Sequence, residues 1–377
     1  MRRKIFKTLK WILIILISLV LILAIVTYFY LKKPLFGKAA EGARLERMKK
    51  SPNFKDGIFH NLNHTPELTE GYSLLGVIYD KLFGYHPRLS PVDSIPSQKV
   101  NLLNLPIDSN VLVWFGHSSY FIQLDGKRIL VDPVFSGNAS PIPGTVKAFK
   151  GTDRYKVEDL PNIDYLIISH DHYDHVDYET LIKLKAKTKK VICGLGVGAD
   201  FEEWGYKPAD ILEKDWNETI DLGSGFYIHT TPARHFSGRG FTRNNTLWMS
   251  YIFQSPTKKI FIGGDGGYDT HFAEIGKKFG TIDLAILEDG QYDVKWKYIH
   301  LLPAQVLMAA KDLNAKRLFP VHSSKFVLAN HPWDEPLAKI TELNQVQKMP
   351  LVTPMIGELV NLKNDKQVFK QWWIGVK

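Results

Sequence analysis

The sequence predicts an α+β protein: an αββα sandwich of two mixed β-sheets flanked by helices, behind an N-terminal transmembrane helix. Three observations carry that reading. From about residue 101, strand patterns dominate the first half of the body and strand–helix alternation dominates the second. Sheets built this way bury one face on each other and need helices on the other. Candidate metal ligands recur just where strands end, so one edge of the sandwich gathers them. Finally, Trp11 to Leu31 is a run of 21 residues without a charge.

That run comes first in the chain. Twenty-one helical residues at about 1.5 Å each cross a hydrocarbon core of about 30 Å. Trp11 and Tyr28-Phe29-Tyr30 suit the two membrane interfaces. A cleaved signal peptide usually has an apolar region of only about 7–15 residues and a small-x-small site. Ala39-Ala40 is a poor match, so an uncleaved anchor is expected. Five basic residues precede the run and three follow, which favours a cytoplasmic N-terminus and an extracytoplasmic body.

The formal charge of +9 first suggests nucleic acid. Yet Arg2, Arg3, Lys4, Lys7, Lys10, Lys32, Lys33 and Lys38 supply eight of those charges, with no acid before residue 41. The body is left near neutral, whereas a nucleic-acid protein carries its basic patch on the folded body. A nucleic-acid partner is therefore not expected. The apolar share of 45% and charged share of 23% are those of a globular protein.

Three parts are expected: a basic tail and anchor at 1–33, an arm packing on the body at 34–100, and a catalytic body at 101–377. The arm has six prolines among aromatics, and Tyr72 to Phe83 has helical character. In the body, Val111 to Phe115, Tyr120 to Leu124 and Arg128 to Val131 read as strands, the last two joined by Asp125-Gly126-Lys127. Tyr165 to Ile168 and Lys190 to Cys193 are further strands around a helix at Tyr178 to Lys187. Gly225 to Thr231, Leu247 to Phe253, Lys259 to Ile262, Ile282 to Leu287 and Arg317 to Val321 follow as strands. Helices are expected at His271 to Phe279, Pro303 to Leu313 and Glu335 to Asn344. The single cysteine, Cys193, sits in an apolar run and reads as a small buried side chain.

The chemistry centres on Ser169-His170-Asp171-His172-Tyr173-Asp174-His175, directly after an apolar strand. Further candidates close other strands: His235, Asp265 between glycine pairs, and His322. Imidazole and carboxylate without thiolate suit zinc, with manganese or iron also compatible. Seven ligands are too many for one tetrahedral ion and suit two. In an extended loop His170 and His172 point the same way and can grip one metal, while Asp174 and His175 turn to a second. The glycines let the Asp265 backbone come close, so its carboxylate can bridge. Two metals about 3.5–4 Å apart hold a hydroxide and clamp the attacked and leaving oxygens.

These residues resemble the metallo-β-lactamase fold superfamily, whose H-x-H-x-D-H signature His170 to His175 matches. Within it, the chain is similar to the N-acylphosphatidylethanolamine-hydrolysing phospholipase D branch. The shared segments are Trp114 to Ser119, Val131 to Ser136, Ala139 to Pro141, the His loop, Thr231 to His235, Gly264 to Tyr268, Glu274 to Gly280 and Lys297 to His300. The resemblance implies two zinc ions: one on His170, His172 and His235, the other on Asp174, His175 and His322, with Asp265 bridging. It also implies a catalytic part for Asp265 and a proton-donating or phosphate-holding part for His300. Asp171 departs from the asparagine common in that branch, and Phe236 to Asn245 has no close match there.

Around these, His117 and Asp132 are expected to support the ligands, Asp132 by orienting an imidazole. Arg234 and Arg239 are candidates to meet phosphate, although solvated arginines are the ordinary case. The expected function is a membrane-anchored zinc phosphodiesterase acting on phospholipids, with the bilayer and lipid as partners and a homodimer left open. A zinc-dependent lactonase or sugar-phosphate hydrolase is the alternative, and a non-catalytic membrane-tethered scaffold is the reading from another class. Asp265 argues against a β-lactamase, and the near-neutral body argues against a nuclease.

Overall fold

The computed structural model describes residues 2–377. Helix α1 (Arg2–Tyr30) spans 29 residues, about 44 Å at 1.5 Å each. Residues 3–26 of it are all exposed. Among the described residues it is the one helix long and apolar enough to cross a membrane.

Residues 34–100 lie against the body. Helix α2 (Gly42–Met48) is held by Arg44, which pairs with Glu213 at 2.6 Å and Glu202 at 2.8 Å. A small hairpin, β1 (Phe54–Lys55) and β2 (Ile58–Phe59), buries Phe59. Helix α3 (Leu74–Phe83) has none of its residues buried.

Two sheets form the body. The first takes β3 (Val111–Trp114), β4 (Tyr120–Leu124), β5 (Lys127–Val131), β6 (Ile163–Ile167), β7 (Thr188–Gly194), β8 (Ile211–Lys214) and, on its edge, β15 (Leu359–Asn361). Its order is β15-β3-β4-β5-β6-β7-β8. The second takes β9 (Thr219–Gly223), β10 (Phe226–Thr231), β11 (Ser250–Gln254), β12 (Lys259–Ile262), β13 (Leu284–Glu288) and β14 (Leu318–Val321). Its order is β14-β13-β12-β11-β10-β9. Each sheet is mixed, with hairpin-like antiparallel strands on one side and parallel strands on the other.

Alternation of side chains explains the layers. Tyr120, Ile122 and Leu124 of β4 point between the sheets, where they join Tyr251 and Phe253 of β11 and Ile260 and Ile262 of β12. Phe121 and Leu166 point outward under α4 (Tyr178–Leu184) and α5 (Gly198–Glu203). On the other flank, Ile252 and Phe261 pack under α6 (His271–Phe279) and α7 (Pro303–Asp312), and Ile340 of α8 (Glu335–Gln347) joins them. The αββα sandwich is thus the observed architecture. The turn between β4 and β5 has positive φ at both central residues, Asp125 at 49° and Gly126 at 81°. That backbone matches the twist of a two-residue hairpin.

Short elements are absent from the sequence reading: α5, β8, the edge strand β9 and the three-residue β15. The strand expected from Leu247 begins only at Ser250. Leu247, Trp248 and Met249 are apolar because they fill the space between the sheets. Their backbone leaves the ladder: Leu247 N donates to Leu195 O, and Met249 N to Ser169 O.

Candidate metal centre

Topology brings the chemistry to one edge. Strands β3 and β5 are each antiparallel to β4, so their C-terminal ends share an edge, and β6 runs parallel to β5. The same holds in the second sheet, where β10 and β12 flank β11 and β13 and β14 run parallel to β12. His117, Asp132 and the loop 170–175 follow ends of the first sheet. His235, Asp265 and His322 follow ends of the second. Three of these residues hold left-handed backbone without being glycine: His117 at φ 53°, Asp132 at 41° and His322 at 67°. Such conformations cost of order 1–3 kcal/mol each and concentrate at functional sites.

The seven expected ligands converge. His170 Nε2 stands 2.8 Å from His172 Nδ1, and His235 Nε2 stands 3.4 Å from the same atom. Asp265 Oδ2 lies 3.9 Å from both His170 Nε2 and His235 Nε2. On its other side it lies 3.2 Å from His175 Nε2 and 3.1 Å from His322 Nε2. Asp174 Oδ2 completes this second set at 3.4 Å from His175 Nε2. One carboxylate oxygen therefore faces two groups of donors. Clusters within 4.8 Å can be drawn as His170, His172 and His235, and as Asp174, His175, His322 and His117.

Neighbouring groups fix the imidazole tautomers. His235 Nδ1 donates to the Ile299 carbonyl at 2.8 Å, which leaves the lone pair on Nε2. His175 Nδ1 donates to Asp132 Oδ2 at 2.8 Å, which turns Nε2 toward Asp265 and Asp174. Ser169 Oγ donates to Asp132 at 2.6 Å and so accepts from His170 Nδ1 at 3.0 Å. His322 Nδ1 meets Ser118 Oγ at 2.9 Å. Buried Asp132 thus holds the loop from below, as such carboxylates do for ligating imidazoles.

Electrostatics point the same way. Burial holds His170, His235 and His322 well below the usual imidazole range, and His172 below it. Burial opposes charge on His175 too, but Asp265, Asp174 and Asp132 outweigh it and push His175 well up. Burial would raise Asp265 and Asp174, yet their histidine neighbours hold both well below the carboxylate range. Anionic carboxylates among mostly neutral imidazoles form a donor set that could hold a cation. Moreover, His175 Nε2 and Asp265 Oδ1 are buried without any hydrogen-bond partner. Such groups cost about 1–3 kcal/mol each unless something satisfies them, and divalent metal ions fit this donor set.

His300 lies on the wall of a cavity of about 690 Å³ above the cluster, shared with Leu74, Val77, Trp296 and Leu328. Its Nδ1 meets Glu288 Oε2 at 2.5 Å. Glu288 Oε1 accepts from Gly266 N at 2.8 Å and Leu301 N at 3.1 Å. Burial lifts the Glu288 carboxyl to about 7, and Glu288 raises His300 against its own desolvation. Glu288 escaped the sequence reading. Its signal was a carboxylate at the end of an apolar strand, the same signal that marked Asp265.

His117 is fully buried, and its Nε2 stands 2.9 Å from Asp174 Oδ2. Two arginines correct the expectation of a phosphate contact. Arg234 donates to Thr65 Oγ1 at 2.9 Å, His64 O at 2.7 Å and Tyr268 O at 3.0 Å, so three of its five N–H donors join the arm to the body. Arg239 is buried rather than solvated. It donates to Leu35 O at 2.7 Å, Asp171 O at 2.7 Å and Val176 O at 2.8 Å. Asp171 accepts from Gly238 N at 2.7 Å and Thr246 Oγ1 at 2.8 Å, which ties the His loop to the unmatched 236–245 segment.

A two-sheet sandwich with this cluster on its edge defines a metal-dependent hydrolase. The chain belongs to the beta-lactamase superfamily: residues 127–323 match the family described as the beta-lactamase superfamily domain. An uncharacterized protein of Mycobacterium tuberculosis is 34% identical over 86% of this chain and 88% of its own length. The N-acyl-phosphatidylethanolamine-hydrolyzing phospholipase D 1 of Caenorhabditis elegans is 26% identical over 74% of this chain and 89% of its own. In fold, a metallo hydrolase from Ignicoccus hospitalis superposes with a TM-score of 0.52 at 21% identity, covering 67% of this chain and 97% of that one.

Proposed function

We propose that this protein is a membrane-anchored binuclear zinc phosphodiesterase of the phospholipase D type, acting on N-acyl phosphatidylethanolamine or a related phospholipid. The observation that carries the reading is Asp265 Oδ2 facing two donor groups beneath an apolar-walled cavity. His170, His172 and His235 would hold one ion, and Asp174, His175 and His322 the other, with Asp265 shared. When bound, two such ions supply Lewis acidity and an activated water at neutral pH.

The chain's own residues supply the rest. Glu288 grips His300 Nδ1, so His300 Nε2 turns to the cavity and can hold a proton for the departing alcohol. Leu74, Val77, Trp296 and Leu328 suit acyl chains, while Lys81 and Arg243 on the same walls suit an anionic phosphate. Apolar walls favour this over the sugar-phosphate reading, whose substrates are polar throughout, and the anionic-phosphate contacts offered by Lys81 and Arg243 favour it over a lactone. The basic residues before α1 support a cytoplasmic N-terminus and an extracytoplasmic body.

The test is phosphatidic acid release from N-acyl phosphatidylethanolamine in vesicles, with and without chelator, beside a phosphorylated lactone. Expected is chelator-sensitive release of phosphatidic acid that Asp265→Asn lowers at least about 1000-fold. Turnover of the lactone alone would overturn the phospholipid reading.

A further inference from the structure

Helix α3 has an unusual surface. Its sequence, LLGVIYDKLF, is apolar round most of the circumference, yet no residue of it is buried. A helix apolar all round normally sits inside protein or lipid. Leu74, Val77 and Lys81 recur at helical spacing and wall the cavity. Leu75, Tyr79 and Leu82 recur on a different side and are 79%, 67% and 68% exposed. Ser73 caps the helix, and Asp80 tethers it to the body. Ser73 Oγ accepts from Gly76 N at 3.2 Å, and Asp80 accepts from Lys295 Nζ at 3.1 Å and Asn330 Nδ2 at 3.2 Å. The helix is therefore built in, with one apolar stripe on the cavity and one on nothing.

A second observation says what covers it. Segment 236–245 touches both α1's exit and the approach to α3. Arg239 donates to the carbonyl of Leu35, five residues beyond α1. Arg243 pairs at 3.1 Å with Glu67, which shares the cavity wall with Leu74. The two arginines are four positions apart, a span of at most about 14 Å. Phe241 between them is 84% exposed. The foot of α1, the tip of this segment and the α3 side of the cavity thus follow one another along the surface.

We infer that α3 is an interfacial helix: Leu75, Tyr79, Leu82 and Phe83, with Phe241, seat in the surface of the bilayer that α1 spans. The cavity behind Leu74 and Val77 then opens onto lipid. The occupant is a lipid surface because the chain itself brings one alongside. Leucine and aromatic side chains suit the acyl boundary, and Lys81 beside them suits anionic headgroups. The inference rests on the anchor reading of α1 and is independent of which bond is hydrolysed.

Cys193 is fully buried, so a cysteine introduced on the surface can be labelled selectively. The full chain carrying Leu75→Cys or Leu82→Cys, labelled with a nitrobenzoxadiazole fluorophore, is reconstituted in phosphatidylethanolamine–phosphatidylglycerol vesicles. Acyl-chain nitroxide lipids are the quencher, and no N-acyl phosphatidylethanolamine is added. Val346→Cys on α8, where the native side chain is 87% exposed, is the solvent control, and Val20→Cys reports insertion of α1. Quenching at positions 75 and 82 is expected to exceed the control at least threefold. It should fall to the control level when Tyr79→Glu is added. Quenching at position 20 with control-level quenching at 75 and 82 overturns the inference, whether those labels are wet or shielded by protein. No quenching at position 20 overturns the anchor and the inference with it. Quenching does not depend on turnover, so loss of phospholipase activity is a separate outcome.

Discussion

At Asp132 a single carboxylate decides how the His loop presents itself. It accepts from Ser169 N at 2.9 Å, Ser169 Oγ at 2.6 Å and His175 Nδ1 at 2.8 Å. Asparagine keeps the shape but cannot accept from all three, and it no longer stabilises charge transferred to His175. Asp132→Asn should lower metal affinity about 10–100-fold, measured by competition with a chromophoric chelator. Unchanged affinity would remove Asp132 from the site. Glu288 makes a different prediction. Glu288→Gln loosens the grip on His300 Nδ1 without touching the seven expected ligands, so metal content should hold while kcat falls about 100-fold, in the range of general acid–base catalysis. The fall should be steepest on the limb of the pH profile where His300 must be protonated. Asp132 was legible from its place after a strand, whereas the Glu288–His300 pairing depends on a fold contact across 12 residues that spacing does not reveal.

Among the elements, long ones with one clear period were legible and short ones were not. The hairpin β4–β5 and helices α6 to α8 follow directly from their patterns. Strand β9 has one buried residue in five, and β15 has three residues in all, too few for a period to emerge. Leu247 to Met249 misled because an apolar run says buried, not paired. Helix α3 had a readable pattern but an unreadable environment. Packing also reverses one rule of propensity. Alanine for glycine inside a helix normally gains about 1 kcal/mol. At Gly276 of α6 a Cβ would stand 2.0 Å from the Asp312 carbonyl of α7. Gly276→Ala should therefore destabilise by about 2 kcal/mol and lower Tm by several degrees, a scale set by ordinary overpacking. An unchanged or higher Tm would mean that α6 and α7 are not packed as described.

For the whole molecule, charge, apolar helix and site form one arrangement. The net charge sits around α1, and the segment that follows α1 is clasped by Arg239 against the backbone of the His loop. Asp200 accepts from Lys38 N at 2.8 Å in the same clasp. Burial raises its carboxyl to about 7. Folded protein then keeps a proton that the unfolded chain has lost between about pH 4 and 7. That stability is full below about pH 4, falls as pH rises, and is gone above about pH 7. Asp200→Asn should flatten this component, worth about 4 kcal/mol at about 1.4 kcal/mol per unit, in denaturation curves at stepped pH. An undiminished slope would place the titration elsewhere. The apolar run and the convergent histidines and aspartates were readable in the sequence, but the clasp between them needed the fold, since Leu35, Asp171 and Arg239 are far apart in the chain.

Whether Asp265 serves two ions at once is decided by the metal stoichiometry of the purified full chain, measured by inductively coupled plasma mass spectrometry after gel filtration. Two divalent ions per chain are predicted, zinc foremost, and one or fewer in Asp265→Asn with the fold retained by circular dichroism. A folded wild-type chain that carries one ion or none after incubation with zinc would contradict that prediction.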